Sequence, residues 1–567
     1  MFIQCSTVKR KDKVSTNRKL AESYRDPVTK KPRVRTVQKI EKLPIAERAK
    51  IIYENNGQKH LTSEEWIVLN ELELLTKKNK PKFEVGDLYQ GAGSAVAFKH
   101  LRESGLFKVL DKNLSRNVSQ ILRELIIDQL LYPKSKLKFA QERKGSLLYL
   151  LSGKVDFKED TVYGALDELD NKMQSIIKGL NKELKTESKS VLLYDLSNSY
   201  FTGTKAELGG RGQSKEKRHD RFIVTYGLVM NSNNMPLDIR VWKGGTADSA
   251  TVLETFSQWK DTYLPNHKDE DKQAIWVADR SMSGEPTLDE LKGIELNYIT
   301  GLTGNSQKAM LLLKHEKQPE LFDKKNLTSL EHNNKRYVLC RHDSKGYRRE
   351  NQSFVRRRKV YEELKKIERT PQNKVEKKIY HRAMKVLEKY EQTDLWDIQI
   401  DSFEDKKEIQ RYKLNFSLNR KAVIAHDKIG HYYLLQTDLN QEEITDEKVK
   451  ENYQSLMKVE RSFRDIKSQI KIRPIRHRKE EKIKAHIYLC YLSLWLSKYI
   501  ENKWKAKGLT TEVTTTLKEW NKDLAFCEKI DQNKNLIEIN WNEGKNAMLV
   551  KEKLEKYGEA DILKLKW

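Results

Sequence analysis

Cysteine is scarce: four residues, Cys5, Cys340, Cys490 and Cys527, stand far apart in a chain of 567 and form no CxxC pair. That excludes a disulfide framework and a structural zinc site, and it makes a reducing cytosol the expected home. No apolar stretch precedes Lys9-Arg10-Lys11, so no signal peptide is read there. Long hydrophobic runs are also missing. The most apolar helical stretch, Ile487 to Ile500, is interrupted by Ser493, Ser497 and Lys498. It is too short to span a bilayer and is expected as a core helix. These absences predict a soluble, cytoplasmic protein with no membrane partner.

Acidic charge is in deficit. Lys and Arg number 109 against 82 Asp and Glu, a formal net charge of +27. Residues 1–60 alone hold 16 basic and 6 acidic side chains. A Lys-rich genomic habit would raise Glu too, yet cations still prevail, which points to a polyanionic partner, most often nucleic acid. The length allows three or four domains and a sizeable core.

Along the chain, residues 1–60 read as a basic arm with turns at Asp26-Pro27 and Lys31-Pro32 and short strand-like pieces such as Val34–Val37. Residues 61–185 read as a helical domain, a candidate DNA-binding module. Within it Ser115 is placed to cap a helix through Val118, Ile121, Leu122, Leu125 and Ile126 to Pro133, and a second helix is expected from Asp160 to Leu184. The pattern then changes. Val191–Leu196 is a continuous apolar run holding one aspartate, as in a buried strand. Strands are expected at 222–230, 237–242, 274–278 and 298–299, with helical spacing at 247–260 and 288–291. A meander followed by βαβ units is the layout of an RNase H-like α/β sheet of five mixed strands. Its first strand holds Asp195 and its fourth ends at Asp279.

Residues 305–430 interrupt that order and read as an α+β insertion, with a charged helical hairpin over 355–390 broken at Thr370-Pro371. The catalytic sheet is expected to occupy 186–304 and to resume over 431–505. Residues 506–567 have no clear assignment.

The segment from Tyr453 to Lys467, taken as a helix, places Val459, Phe463, Ile466 and Ile470 on one apolar stripe. Glu460, Arg464, Lys467 and Lys471 follow one residue later, so a carboxylate stands at the edge of a core with cations one and two turns away. Alone this is also an ordinary i,i+4 pair on a solvated face. Asp195 and Asp279 alter that balance. Phosphoryl transfer by two Mg²⁺ ions needs a few carboxylates delivered from rigid elements to one edge of a sheet. Asp195, Asp279 and Glu460 meet that need as catalytic residues and metal ligands, with Mn²⁺ expected to substitute. Lys467 and Tyr453 are the nearest candidate phosphate contacts. Arg461, Arg464 and Arg218 are further candidate DNA contacts, while Asp220 and Asp248 are spare acids.

By these residues the chain resembles the DDE transposases of bacterial insertion sequences, most closely the IS4-like superfamily and its IS1634-type branch. Tyr194–Phe201 looks like the first-aspartate strand, Gly212–Asp220 like the loop before the second strand, Gly244–Asp248 like the Gly-Asn-Thr-x-Asp stretch, and Val277–Arg280 like the second aspartate. In the last signature Tyr453, Glu460 and Lys467 match, but Leu456 stands where the family has arginine. Arg461 or Arg464 is the candidate substitute. The gap of 181 in numbering from Asp279 to Glu460 fits the family's inserted domain.

The resemblance implies cut-and-paste transposition. Bound metal activates water to nick DNA at terminal inverted repeats, and the freed 3′-hydroxyl attacks the opposite strand or target DNA. The partners implied are double-stranded transposon ends, target DNA and a second copy of the chain in a synaptic dimer. Two alternatives remain open on the residues alone: a nuclease that cuts without joining, and an inactive DNA-binding derivative.

Overall fold

The basic N-terminal residues fold as a sheet and not as an arm. In the computed structural model, β1 (Phe2–Arg10), β2 (Lys13–Arg25) and β3 (Pro32–Lys39) pair antiparallel in that order. Asp26 shapes the second turn by accepting the N–H groups of Val28 and Thr29. Arg18 ties the sheet to the helices behind it through paired bonds to buried Glu65 at 2.7 and 2.8 Å and a bond to Glu41. β3 contains the strand-like piece expected at Val34–Val37 and is exposed along its whole length. The structure describes residues 1–10, 13–55, 58–71, 84–184, 191–263, 274–282, 284–302, 310–311, 327–332, 335–370, 375–404, 410–523, 525–530, 536–542 and 547–564.

After β4 (Glu84–Gln90) come six helices, the longest being Arg116–Leu131 and Glu159–Glu183. Ser115 occupies the N-cap position of Arg116–Leu131, but its hydroxyl and its N–H both bond the Glu168 carboxylate on the second helix. Each helix buries an apolar stripe against the other and against the helix Glu480–Lys505, the core helix expected over 487–500.

The large mixed sheet begins with β5 (Val191–Tyr200), β6 (Ile223–Met230), β7 (Pro236–Lys243), β8 (Ile275–Ala278) and β9 (Asn297–Gly301). β5, β8 and β9 run parallel, and β6 and β7 are antiparallel additions on the other side of β5. The five expected strands are present, but among the described residues the sheet has eight. β10 (Leu327–His332), β11 (Lys335–Arg341) and, later, β14 (Tyr432–Thr437) extend it, giving the order β10-β11-β14-β9-β8-β5-β6-β7.

The segment 305–430 is therefore not one separate insert, because its first two strands belong to this sheet. What stands apart is the helix Asp343–Glu368, the helix Glu376–Lys389, the hairpin of β12 (Trp396–Glu404) and β13 (Gln410–Leu418), and the helix Arg420–Gly430. They share a small core of Val360, Leu364, Ile379, Leu387 and Leu414. Pro371, the expected break, lies outside the described residues.

Side-chain alternation sends the two faces of the sheet into two cores. Leu192, Tyr194 and Leu196 of β5, with Trp276 and Ala278 of β8, face the helices Asp248–Phe256 and Glu285–Gly293. Val191, Leu193, Ile275, Val277 and Ile299 face the larger core under Glu480–Lys505. The C-terminal residues return to the start of the helical domain. There β15 (Ala525–Ile530) pairs with β4 and with β16 (Leu536–Asn542), and Asn521 accepts the Ser94 N–H at 2.8 Å. Cys5, Cys340 and Cys490 are free thiols. No helix among the described residues is long and apolar enough to cross a membrane.

Candidate active site

Register places the first two acids side by side. β5 and β8 pair with Tyr194 opposite Ala278, so Asp195 and Asp279 are the next residues on each strand. Both share the parity of Leu193 and Val277, and so lie on the larger-core side of the sheet. β8 in turn pairs Ala278 with Thr300, which brings Gly301 to the same level on β9. One sheet edge thus presents Asp195, Asp279 and Gly301 in a row.

The third acid comes from above. The expected single helix over 453–467 is two: Asp446–Gln454 ends at Tyr453-Gln454, and Leu456–Ser468 begins after Ser455. The second buries Val459, Phe463 and Ile466 on β5 and β6, with the Phe463 ring edge-on to Tyr226 at 5.8 Å. Ile470 is buried beyond the helix end. Packing that stripe leaves Glu460 exposed at its margin.

Asp195 feels every charge around it. Burial raises its carboxyl pKa, the Lys215 ammonium and the Leu196 N–H oppose that, and the charges of Asp279 and Glu460 add to the rise, leaving it at about 6. The Lys215 ammonium stands 3.7 Å from Asp195 Oδ1 and donates to the Leu196 carbonyl. Asn198 of β5 fixes that loop, accepting from the Lys215 N–H at 3.2 Å and donating to the Gln213 carbonyl at 3.1 Å. Asp279 is exposed and accepts its neighbour Arg280's N–H at 2.8 Å.

Tyr453 reaches the same edge from the preceding helix. A Cβ on Gly301 would meet its hydroxyl at 2.7 Å, so glycine is required for this approach. Burial first, then Asp279, pushes the phenol up to about 12, with Arg280 opposing and Glu460 reinforcing. It remains a hydrogen-bond donor at neutral pH. Lys467 lies two turns from Glu460, mostly buried and 3.1 Å from Glu216. Burial and the nearby Lys215 bring its pKa down to about 8, against the pull of Asp195. Glu216 also binds Arg473.

The structure therefore brings Asp195, Asp279, Glu460, Tyr453 and Lys467 into one electrostatic neighbourhood. Arg461 and Arg464 are exposed on the Glu460 helix. Arg218 is committed elsewhere: it binds Asp220 through two bonds of 2.9 and 3.0 Å and lies over the Tyr200 ring. Asp220 is held well below the usual carboxylate range by that bond. Asp248 opens the helix Asp248–Phe256 and takes no place at this edge. Lys215, Glu216 and Arg473 were missed by spacing arguments. The first two lie in the Gly212–Asp220 loop, just after Gly210, which passes so close to Gly244 that a Cβ on it would strike the Gly244 carbonyl.

Among the described residues, no three acidic, imidazole or thiol side chains are spaced to hold one ion. The site is thus not a closed cage. Mg²⁺ is commonly held by one or two carboxylates, with water and substrate phosphate completing the shell. Asp195 and Asp279, adjacent oxygen donors with a cation already beside one of them, fit that mode in kind.

The sequence profile of the family described as "Transposase DDE domain" matches residues 186–496, more than half of the chain. The chain belongs to this transposase DDE domain family. The matched span begins just before β5, ends within Glu480–Lys505 and contains all three acids. Members generally use divalent metal ions, and the domain implies a DNA-cleaving and DNA-joining enzyme. No curated protein matches the chain.

Proposed function

We propose that this chain is a transposase of the IS4-like superfamily, IS1634-type branch, which binds the terminal inverted repeats of an insertion sequence, cuts at their boundaries and joins the freed ends to target DNA. The observation that carries the reading is that Asp195 and Asp279 directly follow the paired Tyr194 and Ala278 of two parallel strands, beneath the helix bearing Glu460. The strand order β7-β6-β5-β8-β9, antiparallel on one side of β5 and parallel on the other, supports an RNase H-like core.

Asp195, Asp279 and Glu460 are the catalytic acids. Asp195 and Asp279 would hold Mg²⁺, or Mn²⁺ in its place, with Glu460 contributing from the covering helix. Metal held there would supply a lowered pKa to an attacking water and charge stabilisation to the leaving oxygen. The chain's own groups do the rest. Tyr453 donates a hydrogen bond toward the phosphate, and Lys467 and Lys215 set positive charge around its developing oxyanion. Residues 61–185 would bind transposon ends, and a homodimer would pair two of them.

Joining separates this reading from a nuclease that only cuts. A short duplex ending in the terminal repeat with a free 3′-hydroxyl is mixed with supercoiled plasmid and Mg²⁺. Covalent attachment of the label to plasmid supports transposition. Cutting of flanked ends with no attachment supports the nuclease, and binding with neither supports an inactive derivative.

A further inference from the structure

We propose that residues 471–479, directly after the Glu460 helix, form a track for the DNA phosphate backbone about six base pairs from the bond being cut; this rests on the transposase reading above. The stretch reads Lys-Ile-Arg-Pro-Ile-Arg-His-Arg-Lys, five cations with no acid. Its apolar members, Ile472 and Ile475, are buried. Its backbone is fastened at intervals. His486 Nε2 lies 2.9 Å from the Ile472 carbonyl, Ile475 N–H donates to the Tyr200 carbonyl at 3.1 Å, and the Arg478 carbonyl accepts the Glu207 N–H at 2.9 Å.

A stretch fixed on its inner side and cationic on its outer side has the form of a phosphate-binding surface. Arg473 is matched by Glu216. Lys471, Arg476 and Arg478 are exposed and, among the described residues, make no ion pair. Lys471 is also close enough to Lys518 of the helix Val513–Asp523 to help lower that group's pKa, after burial. Arg473 has its acid and Glu512 opposes part of the charge near Lys518, but the exposed Lys471, Arg476 and Arg478 leave a local excess that a polyanion relieves.

Position sets the distance. Ile475 bridges in parallel to Phe201, six residues along β5 from Asp195. Six extended residues span about 20 Å. With one phosphate per about 3.4 Å of axis on each strand, that is about six base pairs. The track continues the run of positive charge begun by Lys215 and Lys467, and it would hold the duplex in line with the acids.

The test measures binding of a fluorescent duplex of arbitrary sequence between about 50 and 200 mM salt. The wild type is compared with Lys471→Ala/Arg476→Ala/Arg478→Ala, with Arg476→Gln/Arg478→Gln and with Arg476→Lys/Arg478→Lys. Each lost phosphate contact flattens the plot of log K against log salt by about 0.9. The triple variant should be flatter by about 2.7 and the Gln variant by about 1.8, while the Lys variant keeps the wild-type slope. A wild type that binds, with Gln and triple variants of unchanged slope, overturns the track and leaves the transposase reading intact. A wild type that binds no duplex overturns both.

Discussion

The Lys215 ammonium stands 3.7 Å from the Asp195 carboxylate while bonding the carbonyl of the very next residue, Leu196. A flexible, half-exposed cation thus rests against the first acid of the site. It competes for the same carboxylate as any divalent ion. Lys215→Met is expected to tighten Mn²⁺ binding about three- to tenfold without DNA, as removal of one positive charge at this range implies. Titration calorimetry reads this directly, and unchanged or weaker binding would contradict the competition.

Glu460 is exposed at the margin of a helix whose buried face does the packing. Glu460→Gln should leave the fold and end binding within about threefold while lowering cleavage by at least about a hundredfold, the scale of losing a group that acts mainly in the transition state. Equal loss of binding, seen by gel shift, would defeat the assignment.

Gly301 allows Tyr453 to reach the sheet edge. Gly301→Ala should destabilise the chain by about 1–3 kcal/mol through overpacking. Adding Tyr453→Phe removes the atom that the Cβ would strike and should restore part of that loss. Chemical denaturation of the two single variants and the double variant measures it. Strict additivity would show that the contact does not exist.

His486 is held neutral: burial, then Lys136 and His477, bring its pKa down to about 3, against the bond to the Ile472 carbonyl. The unfolded chain protonates this side chain near its ordinary value of 6.5, while the folded chain does so only near 3. Between those values the unfolded state binds the extra proton, so this contribution to stability falls as pH drops from 6.5 toward 3. The slope is at most about 1.4 kcal/mol per pH unit. His486→Gln should remove that slope from the denaturation profile. Because carboxyls such as Glu124, raised to about 7, act in the opposite sense, the informative quantity is the difference between wild type and variant.

Arg336 of β11 donates to the carbonyls of Leu439, Asn440 and Ile444 and binds Asp446 at 2.6 Å, with both members of the ion pair little exposed. It joins the sheet to the turn that leads into the Tyr453 helix. Arg336→Ala leaves Asp446 unmatched and should cost about 3–5 kcal/mol. The melting temperature should fall by several degrees.

The central strands and the level of the acids were readable because strands buried on both faces leave continuous apolar runs, and Val191–Leu196 and Ala274–Ala278 are such runs. The apolar stripe at Val459, Phe463 and Ile466 was readable for the same kind of reason. The strand-like piece at Val34–Val37 was readable, but the exposed strand β3 has no apolar alternation, so its pairing into an N-terminal sheet was not. β10 and β11 were separated from the main sheet because pairing with β14 spans about a hundred residues, which local patterning does not encode. The helix break at Ser455 was hidden by residues that all tolerate helix. Lys215 was passed over for Arg218 because only the folded loop shows which cation turns toward Asp195 and which toward Asp220.

The most direct measurement uses a labelled duplex in which the element's terminal repeat is joined to flanking DNA. It is incubated with the protein and Mg²⁺, Mn²⁺ or EDTA, beside Asp195→Asn. A cut at the repeat boundary that needs the metal and disappears in Asp195→Asn is the predicted result. A cut that persists in EDTA or in Asp195→Asn would contradict the account.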